Sequence, residues 1–147
     1  MSFDVFLIPS SASPPKASFG REVRAAIVAS GGHVPGEDDV MQAPDGTEFE
    51  LYGGSMFSLR GLSPGVCQVI YRAAARTNAY IVPTDEDGAA LKVKGTTGNP
   101  PKGLTPIKLV ADPQTLCARL EHGFQSWSAY ANHVRQAVNP PPGSPPH

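Results

Sequence analysis

No apolar run in this 147-residue chain approaches the ~20 residues that a membrane-spanning helix needs. A strong charge of either sign is also missing. Twelve Lys and Arg stand against thirteen Asp and Glu, for a formal net charge of −1. That lacks the basic excess of a general nucleic-acid binder. Cysteine is scarce: Cys67 and Cys117 alone do not make a disulfide framework. Each lies in an apolar helical pattern, where a buried free thiol is the expected state. A Cys67–Cys117 bridge stays open, because sequence spacing does not decide it. The opening MSFDVFLIPS has no basic segment and carries Asp4, which argues against a signal peptide. The expectation is a cytoplasmic protein without membrane contact.

Several ligand-binding signatures are missing too. No G-x-G-x-x-G is present. GTTGNPPKG, 95–103, lacks the P-loop pattern, and Pro100 and Pro101 have no N–H to offer a phosphate. The loop Gly61-Leu62-Ser63-Pro64-Gly65 precedes a helix, but Pro64 removes a donor where an anion would want one. There is no C-x-x-C and no His pair at i, i+4. His122 and His133 lie ~16 Å apart by helical rise and cannot share a metal. Neither a cofactor nor a metal is expected.

What is present is patterned for folding. Hydrophobic content of 40% and charged content of 17% are globular values, and the length suits one domain. FDVFLIP, 3–9, is apolar on both faces apart from Asp4, as a central strand reads. Ser18 is placed to cap a helix that ends at Gly31 and Gly32. Asp45-Gly46 joins strands 40–44 and 47–52 as a hairpin, and a third strand spans 56–61. Ser63 and Pro64 start a helix that buries Val66, Val69, Ile70 and Ala73. A short strand, 79–84, follows. AALKVKG and TPIKLV read as weaker strands.

Asp112 and Pro113 start the last helix. Leu116, Leu120, Phe124, Trp127, Ala131, Val134 and Val138 form one apolar seam along it. NPPPGSPPH, 139–147, reads as a disordered tail. The domain is therefore expected over 1–138. Its class is α+β: a mostly antiparallel sheet with helices on one face, ordered β-α-β-β-β-α-β, plus the long helix. That places it in the ferredoxin-like neighbourhood, with the first and fifth strands central and parallel.

MSFDVFL, the hairpin ending in FELYG and the helix–strand ending in YIVP resemble a group of small bacterial proteins. These open with an SFDVFL-type strand, and their function is unsettled. The resemblance covers roughly residues 1–84. It implies a compact bacterial domain and carries over no catalytic residue.

The remaining signal is electrostatic. Glu37, Asp38, Asp39, Asp45, Glu48 and Glu50 occur within 37–50 without a Lys or Arg. Lys92, Lys94, Lys102 and Lys108 occur within 88–110 without an acid. Such separated charge steers partners. The leading expectation is a non-enzymatic domain that binds a protein with a basic surface, such as an immunity-type inhibitor of a bacterial toxin. Its contacts would be Glu37, Asp38, Asp39, Glu48 and Glu50. The alternative is a small-molecule binder or enzyme with a site at the end of strand 79–84. There Thr84, Asp85, Asp87 and Lys102 would act, with the 95–103 loop as a cover. A homodimer through the C-terminal helix is a third possibility.

Overall fold

The computed structural model describes residues 3–35, 39–84, 89–104 and 106–138, with side chains described as far as Gln125. The expected tail, 139–147, lies outside them. Ten elements run in the order β1 Phe3–Ile8, α1 Lys16–Ala29, β2 Val40–Gln42, β3 Glu48–Tyr52, β4 Met56–Leu59, α2 Pro64–Thr77, β5 Tyr80–Pro83, β6 Ala90–Val93, β7 Ile107–Val110 and α3 Pro113–Val138. The strands form one seven-stranded sheet in the order β2-β3-β4-β1-β5-β6-β7. The class is α+β. The sheet is antiparallel except for the β6–β7 pair.

β1 is central, as its two-sided apolar pattern predicts. Its expected parallel pairing with the fifth strand is not found: Val5 to Ile8 run antiparallel to Pro83 to Tyr80. The three strands of 40–59 all add to one side of β1, so α2 returns the chain to β1's other side in the opposite direction. The parallel pair lies instead at the far edge. A crossover connection, as parallel strands require, links β6 to β7.

The three helices pack side by side, α2 in the middle, against one face of the sheet. That face presents Phe3, Val5, Leu7, Phe49, Leu51, Phe57, Leu59, Ile81, Leu91 and Val93, all buried. α2 contributes the expected Val66, Val69, Ile70 and Ala73, while Arg72 and Arg76 stay exposed. Leu116 and Leu120 of α3 are fully buried, and Phe124 meets Phe3 edge-on with ring centroids 6.0 Å apart. The first half of the α3 seam is thus consumed by its own core. Such a pair adds about 0.5–1.5 kcal/mol beyond area burial.

The local start signals hold at α2 and α3 and differ at α1. The Ser63 hydroxyl accepts the Val66 N–H at 3.2 Å, and the Asp112 carboxylate accepts the Thr115 N–H at 2.7 Å. α1 begins earlier than expected, at Lys16 after Pro15, and Ser18 lies inside its first turn. There the Ser18 hydroxyl donates back to the Pro15 carbonyl. The cysteines correct a second expectation. They are not free thiols: Cys67 and Cys117 form a disulfide between α2 and α3, with Cα atoms 5.3 Å apart. Helical pattern showed that each faces inward. Only packing shows that they face each other.

Candidate functional site

The sheet's second face is covered by no described helix or strand. The register lays its side chains out in rows. Val40, Glu50, Ser58 and Asp4 stand side by side from β2 to β1. The next row is Tyr52, Met56, Phe6 and Val82. Beyond it Ile8 lies beside Tyr80. On the far edge Ala90 pairs with Ile107 and Lys92 with Leu109. Phe6, Ile8, Met56 and Val82 are half-buried, while Tyr52, Ile107 and Leu109 are 39%, 38% and 66% exposed. Ser58, Tyr80 and Ala90 on the same face are buried, so it is an interrupted apolar band between polar corners. Wet faces of antiparallel sheets normally carry polar residues.

One corner of this face is acidic. Glu48 and Glu50 project onto it from β3, as strand alternation predicts, and Glu48 is exposed. Glu50 is half-buried and pairs with Arg60 Nη2 at 3.0 Å. With Val40, Phe49 and Ser58 these residues line a depression of about 130 Å³. The acidic run of 37–50 thus has a cation beside it, supplied by the next strand. Linear sequence hides this, because the two residues meet only through β3–β4 pairing. Asp39 is exposed at the start of β2. Glu37 and Asp38 lie outside the described residues.

Asp45 belongs to the framework. Its carboxylate accepts the Gly65 N–H at 2.9 Å and the Thr47 N–H at 3.2 Å. Desolvation pushes this carboxyl upward, but the hydrogen bonds from Ser63, Gly65 and Thr47 outweigh it and hold it below the usual value. The hairpin tip is in this way fastened to the start of α2, where an anion is favoured.

Of the alternative ligand site, Thr84 and Lys102 are among the described residues. Thr84 donates its hydroxyl to the Asp4 carbonyl at 2.8 Å, so it anchors β5 to β1. Asp85 and Asp87 lie outside the described residues. The 95–103 loop is pinned at the opposite end of β5. The Tyr80 hydroxyl donates to the Gly98 carbonyl at 2.9 Å, and Ser11 and Asn99 exchange two hydrogen bonds. The first half of this loop therefore does not cover the end of strand 79–84. Lys102 is exposed on its second half.

Two other concavities carry no acid–base pair. A cleft of about 380 Å³ lies between Pro9, Pro14, Lys16, Phe19, Gly53 and Ser55, with Lys16 its one titratable side chain. A shallow one of about 400 Å³ between α1 and α2 holds Arg72 and Arg76. Arg76 is itself paired with Glu22 at 2.8 Å. Among the described residues, no three His, Cys, Asp or Glu side chains are grouped to hold a metal. No described helix is long and apolar enough to cross a membrane.

Sequence reasoning missed the uncovered apolar band. Its signal was present in Ile107 and Leu109, which alternate with Lys108 and Val110 on an edge strand. It also missed Lys92 as a neighbour of that band, which only the β6–β7 register reveals. Comparison with family models, with curated proteins and with solved structures returns no match.

Proposed function

We propose that this chain is a non-enzymatic protein-binding domain that docks partners on the uncovered face of its sheet. The acidic corner at Glu48 and Glu50 directs it to a basic surface, with exposed Asp39 and, on their charge alone, Glu37 and Asp38 as further contacts. The observation that supports this most is the coincidence of exposed apolar side chains at Tyr52, Ile107 and Leu109, with half-buried Met56, Phe6 and Val82 between, and charged side chains at the rim. Apolar contact with a polar rim is the usual anatomy of a protein interface. An immunity-type inhibitor of a bacterial toxin is the concrete version of this reading.

The ferredoxin-like comparison is supported by element order alone, and the antiparallel β1–β5 pair weakens it. For location, the Cys67–Cys117 bond supports an oxidising compartment over the cytoplasm, because disulfides persist where thiols are not kept reduced.

The test is capture by the immobilised full chain at low and moderate salt. A basic protein should be retained at low salt and lost with Glu48→Lys or Leu109→Asp. Retention indifferent to both substitutions would place the docking surface elsewhere and contradict the proposal.

A further inference from the structure

The basic surface that the acidic corner requires is carried by the same sheet face. Lys92 projects from β6 beside Leu109. Antiparallel pairing of Ile81 with Leu91 sets it next to Tyr80, on the same side as Ile8. Glu48 and Glu50 occupy the corner diagonally opposite, two strands to the other side of β1 and toward the other end of the strands. Between the two corners runs the band of Tyr52, Met56, Phe6 and Val82.

We propose that a second copy of this chain occupies the uncovered face, so that the two sheets pack face to face. The inference rests on the reading of that face as a docking surface. A two-fold axis lying in the face, across the acid–base diagonal, sets Glu48 of each copy over Lys92 of the other. Both contacts form at once, as an isologous interface requires. The apolar bands then cross at the centre. The strands of the two sheets meet at roughly 90°, one of the two usual ways that sheets stack.

The size of the face suits a second copy. Seven strands at ~4.8 Å spacing span about 34 Å, and strands of this length run about 13–20 Å. That gives at most on the order of 500–600 Å² per copy, or about 1,000–1,200 Å² in total, the lower bound for a specific interface, since Ser58, Tyr80 and Ala90 are already buried within the chain. Pairing through the β7 edge is less suitable. Lys108 lies in the middle of that strand, and antiparallel self-pairing would bring two Lys108 side chains together. Leu116, Leu120 and Phe124 of α3 are committed to the chain's own core.

The experiment is sedimentation velocity of the full chain over a concentration series, at low and moderate salt. The wild type should dimerise, more weakly as salt rises. Glu48→Lys and Lys92→Glu should each weaken the dimer about tenfold or more, because each sets like charges face to face twice. An equimolar mixture of these two variants should recover association to within a few-fold of wild type. Leu109→Asp should weaken the dimer without charge rescue. Circular dichroism checks that each variant is folded.

A chain that stays monomeric at the highest concentration reached overturns the inference. If that monomer still retains a basic protein in a Glu48-dependent way, the docking-surface reading stands and the occupant is that protein. A dimer indifferent to all three substitutions also overturns it and places self-association elsewhere. Failure of the mixed variants to recover association would contradict the paired corners.

Discussion

Glu50 Oε1 lies 3.0 Å from Arg60 Nη2, so the acidic corner of the uncovered face is partly neutralised by its neighbouring strand. Arg60 is 82% exposed at its side chain, and such a pair contributes at most about 1 kcal/mol to folding. Its effect on binding is larger in consequence, because it lowers the negative potential at the rim. Arg60→Ala is expected to leave the denaturation midpoint nearly unchanged. It should strengthen retention of a basic partner at low salt and steepen its salt dependence. Binding measured at two ionic strengths checks both.

Asp45 and Gly65 form a coupled pair that a double-mutant cycle resolves. A Cβ on Gly65 would stand 2.5 Å from the Asp45 Cγ, so Gly65→Ala displaces the carboxylate from the N–H it accepts. The expected cost is about 1–2 kcal/mol in urea unfolding. In an Asp45→Ala background the same change should be neutral or slightly stabilising, because Ala favours helix over Gly. Equal costs in both backgrounds would contradict this contact.

The same carboxylate gives a pH signature. Its folded value lies below the ordinary one, so its contribution is fully present above the unfolded value near 4 and fades as pH falls through the lower folded value. Asp45→Asn should therefore be less stable than wild type at neutral pH, by about 0.5 kcal/mol for so exposed a group. The gap should close in strong acid. Unfolding midpoints at neutral pH and in strong acid decide it.

Much of the fold was legible because it is written locally. Ser63-Pro64 and Asp112-Pro113 mark helix starts, and the Asp45-Gly46 turn marks a hairpin, with Gly46 at φ +86°. Alternation put Phe49 and Leu51 inside and Glu48 outside. What was not legible depends on residues far apart in the chain. The direction of β5 against β1, the Cys67–Cys117 bond and the Arg60–Glu50 pair are all set by which strand or helix comes to lie beside which. The uncovered band was hidden for the same reason. Phe6, Met56 and Val82 come together on one face only through strand pairing, and the described helices pack against the other.

The disulfide closes a separation of 50 residues that contains β5, β6 and β7. Constraint of the unfolded chain by such a link contributes roughly 2–4 kcal/mol. The Cys67→Ala/Cys117→Ala chain, and wild type with reductant, should unfold at lower denaturant concentration by corresponding amounts. α3 should remain helical in both, because Leu116 and Leu120 stay buried. Denaturation with and without reductant, with mass spectrometry to confirm reduction, is the check. Coincident midpoints would show that the bond contributes little.

Tyr80 holds the 96–99 segment through its hydroxyl to Gly98 at 2.9 Å. Tyr80→Phe keeps the ring and removes the bond. The expected loss is about 1 kcal/mol, with faster amide exchange confined to residues 96–99. Global loosening of exchange would contradict a local role.

The most direct measurement of the docking surface is side-chain oxidative footprinting of the full chain, dilute and concentrated, and with any captured partner. Met56 and Tyr52 report the uncovered face, and Tyr71, whose hydroxyl bonds the Ala111 carbonyl, reports the helical side. Protection of Met56 and Tyr52 on association, with Tyr71 unchanged, is the expected result. Association that leaves Met56 and Tyr52 as reactive as in the dilute chain would contradict the account.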